Sequence, residues 1–434
     1  MAAHRSPAGL PGSFLATSSI TRRTLFRGLA VGGGLAATLA ACGDGDSGGG
    51  SGPLRVGINE APGSGRAYDQ QKARLDAFTE AELEVNYVDH NTFQEGINNY
   101  LQGSPADVFT WFAGYRARSF YTNGLIGDVS DAYPADVSEA IRKASTADDG
   151  KQIFVPTNNY PWAVFYFKSL WEKNGYEPPA TLDELVTLSR KMQGDGLTPI
   201  GFADKDGWPA MGTFDILNMR INGYDFHMSL MAGQNSWTDP KVKTVFDTWR
   251  GLLPYHQSDS LGRTYQEAVS SLQQKKSGMY YLGLFLTDSL EIEEQEDIAF
   301  FTFPEIDSTV GADAIDAPID GFCRSAAPRN EGAATDLLKY LGSGDSGSAL
   351  DTAEIPQIAT NAKATTGNYT DLQQRAVEFM GTQKSIAQFM DRDTDPGFAS
   401  TVMIPAIQTF IKNPDDVDGL LKSIDAQAKS IFVS

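Results

Sequence analysis

The sequence predicts an α/β protein of two lobes, and two observations carry that expectation. From residue 54 onward short apolar strands alternate with amphipathic helices, the pattern of an open sheet covered by helices. In addition, two buried strands, Ile153 to Pro156 and Ala163 to Phe167, are separated by a polar and aromatic stretch, Thr157 to Trp162. A passage between two cores has no structural need for Asn158, Asn159, Tyr160 and Trp162 together. It reads as the wall of a ligand cleft where the chain passes from one lobe to the other.

Taken in order, Leu54 to Ile58 alternates as a strand, with Asn59 and Glu60 at its carboxyl end. A helix is expected from Arg66 to Thr79, a strand from Glu84 to Val88, a helix from Thr92 to Leu101, and a strand from Asp107 to Thr110 leading into Trp111. Helices follow over 113–123 and 136–145. After the crossing, Pro178 and Pro179 end one helix and Thr181 with Glu184 can close a capping box on the next. Pro199 to Phe202 forms a strand, and a helix from Pro209 to Ile221 starts with proline where a missing N–H does no harm. Asp215 and Arg220 on that helix suit a surface ion pair. Further helices span 239–253 and 265–276, with strands over 278–282 and 298–303 and around Asp320. The acidic run Glu291 to Asp297 suits a solvated surface. The rest is mostly helical, with a break at 342–347.

The first 41 residues are a different material. Arg5, Arg22, Arg23 and Arg27 stand without any acid before Asp44. Arg22-Arg23 gives this targeting segment a twin-arginine form, and its apolar run is too short and too rich in Gly and Ala for a span of about 20 apolar residues. Leu39-Ala40-Ala41-Cys42 resembles the bacterial lipobox, which implies cleavage before Cys42 and its acylation. Residues 43–52 make a Gly/Ser/Asp tether. Removing the leader takes four of the 35 basic residues and none of the 55 acidic ones. Such a balance argues against nucleic acid and against electrostatic adhesion to anionic lipid. Cys323 is then the sole thiol, so no disulfide within the chain holds either lobe.

The chain resembles the extracellular solute-binding proteins of bacterial ABC importers, in their sugar and oligosaccharide branch. The marks are the lipobox and tether, Ser104-Pro105-Ala106-Asp107-Val108, Gly124-Leu125-Ile126, the crossing from Gly150 to Tyr166, Ser277-Gly278-Met279-Tyr280, and the strand ending at Phe303-Pro304. The resemblance implies a periplasmic-binding-protein-like fold whose chain crosses a hinge three times, near residues 157, 297 and 345. Residues 53–157 and 297–345 would form the N-terminal lobe, and 158–296 with 346–434 the C-terminal lobe. It further implies a monomeric, lipid-anchored receptor on the outer face of the cell membrane, partnered with a permease and its ATPase subunits, with no cofactor. Similar proteins often carry Trp after the Met-Tyr strand; here the stretch is Leu282-Gly283-Leu284-Phe285.

A pyranose offers an apolar C–H face and an equator of hydroxyls, so its site needs flat aromatic surface and planar polar side chains. Trp208 with Asp204 and Asp206, then Trp162 and Trp111, stand at strand ends or loops. Asn158, Asn159, Asn59, Glu60 and Asp320 supply the polar edges. Tyr281 is counted with them, although alternation sends Tyr280 and Tyr281 to opposite faces. Trp171, Trp237 and Trp249 fit packing positions.

Catalytic signatures are weak. There is no phosphate-binding loop and no His-Glu-x-x-His pattern, and Gly45-x-Ser47-x-Gly49 falls in the tether, without the strand and helix of a nucleophile elbow. Two alternatives stay open: the same fold binding an amine, peptide or metal, and a tethered carbohydrate-active enzyme.

Overall fold

The computed structural model describes residues 52–432. The leader, Cys42 and nearly all of the tether therefore lie outside the described residues. Among the described residues there are eleven strands: β1 (Leu54–Ile58), β2 (Leu83–Tyr87), β3 (Val108–Phe112), β4 (Val155–Asn159), β5 (Trp162–Phe167), β6 (Thr198–Gly201), β7 (Ser277–Gly283), β8 (Ile298–Phe301), β9 (Ala314–Asp316), β10 (Ile319–Arg324) and β11 (Ser385–Ala387). They form a five-stranded sheet, β2-β1-β3-β10-β4, a four-stranded sheet, β6-β7-β5-β8, and a two-stranded sheet, β11-β9.

The first sheet is parallel through β2, β1 and β3, and β10 enters antiparallel between β3 and β4. Both of its faces are buried. Ile97, Phe109, Trp111 and Phe154 pack on one, and Val56, Ile58, Val108, Phe322 and Leu337 on the other. Strands buried on both sides read as continuous apolar runs, which is why β3 is Val-Phe-Thr-Trp-Phe. The second sheet sits in one larger core with Trp171, Trp237 and Trp249, each 2% exposed or less. Trp171 also donates its indole N–H to Gly278 O at 2.8 Å, satisfying the polar edge of a buried ring.

The helices follow local chemistry closely. Thr181 and Glu184 close the expected capping box, and Pro209 opens the helix Pro209–Asn222. That helix is buried nearly all round, so the Asp215–Arg220 surface pair is not formed. The Arg220 guanidinium donates to Phe303 O and Thr302 Oγ1, both at 3.0 Å, whereas Asp215 accepts the Met390 amide at 2.7 Å. The expected break at 342–347 is shorter, because Ser343 caps a helix from Gly344 to Thr352.

The first crossing lies within the expected stretch Thr157 to Trp162 but is narrower, and the other two fall elsewhere than expected. Strand β4 continues through Asn159 and β5 begins at Trp162, so only Tyr160 and Pro161 lie between the sheets. Strand β8 pairs antiparallel with β5, which puts residues 298–301 in the second lobe and the next passage between Phe301 and Ile319. The helix Gly344–Thr352 packs against the helices Arg66–Asp76 and Glu331–Leu341, and Ile358 O accepts the Asn159 amide at 3.2 Å. The third passage therefore follows residue 358. Glycine-rich composition around 342–347 resembles a linker, but close packing on the first lobe is what uses it.

Candidate functional site

In the first sheet β1, β2 and β3 end, β10 begins and β4 ends along one edge, a consequence of the antiparallel insertion. In the second sheet β5 begins where β7 ends. These edges face each other across a cavity of about 510 Å³. Ligand crevices outside the carboxyl ends of strands are the general expectation for open α/β sheets.

The first lobe contributes a polar wall. Asn59, Glu60, Asp89, His90, Thr110, Asn158, Asn159 and Asp320 all line the cavity. The Asn59 amide is fixed by Thr110 Oγ1 at 2.9 Å. His90 Nδ1 lies 3.3 Å from Glu60 Oε1 and 3.4 Å from the Asn59 side-chain amide, with Gln94 2.9 Å from Nε2. Burial works against a charged His90, but the hydrogen bond and charge of Glu60 outweigh it and raise its pKa. Trp111 and Phe112 lie beneath this wall, with the Arg116 guanidinium 4.8 Å from the Trp111 ring centre.

The second lobe contributes an aromatic wall of Trp162, Trp208, Tyr265, Phe285 and Phe389. Trp162 and Phe389 have ring centres 4.7 Å apart, Trp208 and Tyr265 5.4 Å, and Tyr265 and Phe285 5.6 Å. The indole N–H groups of Trp111, Trp162 and Trp208 have no hydrogen-bond partner among the described residues. Phe285 stands in the stretch where tryptophan is expected from the resemblance, and it supplies aromatic surface there.

A segment from Gln388 to Thr394 spans both walls. Phe389 lies at φ 98°, a conformation that strains any L side chain. Its neighbours hold it there: the Gln388 amide donates to Asp393 Oδ2 at 2.6 Å and Met390 to Asp215, while Thr394 Oγ1 donates to Met231 O at 2.7 Å. Toward the first lobe, Arg392 donates to Asp320 Oδ1 at 2.9 Å and to the Tyr160 hydroxyl at 3.3 Å, and its guanidinium sits 3.9 Å from the Phe112 ring centre. Arg116 reaches Asp391 at 3.8 Å. A Cβ on Gly114 would come within 2.6 Å of Arg392 O, so only glycine lets the two backbones approach this closely. Burial opposes the Arg392 charge, but Tyr160, Asp320 and Asp391 more than offset it and hold its pKa above the ordinary arginine value.

Eight of the expected site residues thus meet at one cavity: Asn59, Glu60, Trp111, Asn158, Asn159, Trp162, Trp208 and Asp320. Three do not. Asp204 is fully buried and accepts the Ala210 amide at 3.0 Å, so it caps the helix that Trp208 precedes. Asp206 is half-buried on the same turn, outside the lining. Tyr281 packs behind Trp162, ring centres 5.6 Å apart, and its hydroxyl lies 3.5 Å from Asp316. Missed altogether were His90, Tyr265, Asp288, Phe389 and Arg392. His90 follows a strand end and could have been found by the rule that found Asn59. Among the described residues no three His, Cys, Asp or Glu side chains group to hold a metal ion, and no helix is long and apolar enough to cross a membrane.

Comparison with known proteins agrees with this geometry. The bacterial solute receptor AcbH, described as having an exclusive preference for β-D-galactopyranose, is 41% identical, with a TM-score of 0.84 over 88% of this chain and 100% of that one. An uncharacterized ABC transporter extracellular-binding protein of Pyrococcus horikoshii is 24% identical over 56% of this chain and 55% of its own length. A probable sugar-binding periplasmic protein of Rhizobium meliloti is 27% identical over 31% and 33%. The alignments thus span about half, or less, of these curated relatives. Residues 62–346 match the model of the bacterial extracellular solute-binding proteins. Two sheets facing one cavity, with that match over most of the chain, show that it belongs to the bacterial extracellular solute-binding protein family.

Proposed function

We propose that this chain is a lipid-anchored receptor that captures a sugar outside the cell and hands it, without chemical change, to a membrane permease driven by ATPase subunits. The observation that carries the proposal is the two-sided cavity. Clustered aromatic rings on one lobe suit the C–H face of a pyranose, and amides and carboxylates on the other suit its hydroxyl edge. Its volume of about 510 Å³ falls within the ~300–1,000 Å³ common for small-molecule sites and admits one ring or a short oligosaccharide. The preference described for AcbH makes β-D-galactopyranose the first ligand to try.

The working cycle is hinge closure. A ligand touching both walls stabilises the closed form by its higher affinity for that form, and the permease reads closure. The anchor is the acylated Cys42, and the receptor acts as a monomer. Equilibrium titration with D-galactose and with maltose and chitin oligosaccharides tests the sugar assignment, with chromatography of the recovered sugar after long incubation. Recovery of a cleaved sugar would favour the tethered enzyme. Binding of an amine, peptide or ferric ion but of no sugar would replace the ligand class.

A further inference from the structure

The carboxylates that line the cavity are not equivalent. Glu60 is engaged by His90, Asp320 by Arg392 and Asp391 by Arg116. Asp89 accepts the Thr92 amide at 3.1 Å and caps the helix that follows. Asp288 alone, among the described acids lining the cavity, has neither a hydrogen bond nor an ion pair. It belongs to the turn Leu284–Ser289 that leaves β7, so it stands on the second lobe, where Gln266, Thr287 and Ser289 line the cavity beside the rings of Tyr265 and Phe285 and Asp288 is the one acid on that turn. The first lobe covers it directly: a Cβ on Gly65 would lie 3.2 Å from Asp288 O, and the Arg66 guanidinium reaches Leu290 O at 3.5 Å. Burial pushes the Asp288 carboxyl up to about 7; the charge of Glu60 adds to this and that of Arg66 opposes it.

We infer that Asp288 is the second lobe's acidic contact to the ligand, and that it works opposite Glu60 to select an uncharged polyhydroxylated sugar over a sugar acid. The inference rests on the sugar assignment above and deepens it. A carboxylate with free acceptor positions in a largely desolvated cavity is satisfied by a hydroxyl donor. A neutral sugar offers such donors to Glu60 on one lobe and to Asp288 on the other, and bridging them ties closure to ligand identity. Above pH about 7, where Asp288 is ionised alongside Glu60, a carboxylate on the sugar would bring a third negative charge between two acids, and the Arg392 guanidinium is already held by Asp320. Specificity then comes from a repulsive element as much as from an attractive one.

The test is calorimetric titration at about pH 8.5, above the Asp288 pKa, of wild type, Asp288→Asn and Asp288→Ala with D-galactose and with D-galacturonate, alongside their unfolding temperatures without ligand. Hydrogen bonds to a charged group are worth roughly 1.5–3 kcal/mol, so Asp288→Ala should weaken galactose binding roughly 10- to 100-fold. Asp288→Asn keeps the shape of the side chain and covers the case in which the alanine variant fails to fold. It should bind galactose more weakly than wild type and lose part of the discrimination against galacturonate. Wild-type binding of galactose with both variants unchanged would overturn this inference and leave the sugar assignment intact. Equal wild-type affinity for galactose and galacturonate would overturn the charge selection. Should galactose be silent, any sugar that binds takes its place; silence of every sugar sinks the sugar assignment and this inference with it.

Discussion

The Asp215 carboxylate accepts the Met390 amide at 2.7 Å, although the two residues are far apart in the chain and both are fully buried. This bond fixes the start of the short turn that carries Arg392 into the cavity, immediately after the strained Phe389. Burial and the nearby Asp316 charge raise the Asp215 pKa well above the ordinary carboxylate range. Asp215→Ala leaves a buried amide without an acceptor. Its expected effect is a loss of about 1–3 kcal/mol of stability in urea unfolding, together with weaker ligand binding. Weaker stability with unchanged affinity would show that Asp215 does not position the turn.

Trp208 lines the cavity at the start of the helix Pro209–Asn222, with its indole N–H unpartnered among the described residues. Trp208→Ala should leave both lobes folded and weaken sugar binding by roughly 1–3 kcal/mol, the range for burial and stacking of an apolar ring face. Titration calorimetry reads this directly, and unchanged affinity removes Trp208 from the site.

Gly65 has φ 71° and its hydrogen faces Asp288 O across the mouth of the cavity. A valine there needs a strained backbone and the space that Asp288 occupies. The backbone strain, about 1–3 kcal/mol, falls on both forms and lowers stability, whereas the crowding against Asp288 is met only when the lobes close and should weaken binding roughly tenfold or more. Small-angle scattering of Gly65→Val with saturating ligand should show a larger radius of gyration than wild type. Equal radii would show that this contact does not limit closure.

His227 is fully buried, its Nδ1 3.1 Å from the Asn218 side-chain amide, and burial lowers its pKa from 6.5 to about 3. Between those values the unfolded chain takes up a proton that the folded chain refuses. The contribution is fully present above pH 6.5 and is lost as pH falls toward 3. His227→Asn keeps an acceptor for Asn218 and removes the titration. Its unfolding temperature should fall less than that of wild type between pH 7 and pH 4. Parallel curves would contradict the assignment.

Local chemistry made much of this fold legible. Strand ends announced Asn59, Glu60 and Trp111, and the Thr181–Glu184 capping box and Pro209 fixed two helix starts. What escaped were features created by tertiary approach. Nothing local tells Arg392 from any other arginine in a helical region; it enters the site because Asp215, Asp393 and Met231 hold the turn around it. The Asp204 error has the same origin, since an acid before a proline-led helix serves equally as ligand or as cap, and only the Ala210 amide decides. The passage near 297 was misplaced because an apolar run such as Ile298 to Phe301 does not say which sheet it joins.

Thermal unfolding of the purified chain against galactose, maltose, chitin oligosaccharides, amino acids, polyamines and ferric citrate tests the central claim most directly. At about 100 times its Kd a ligand adds roughly 2.7 kcal/mol to the folded state, a readily measured rise in unfolding temperature. The account predicts a rise with galactose or another neutral sugar and none with the controls. A rise with a control and with no sugar would keep the two-lobed fold and contradict the assignment of its cavity.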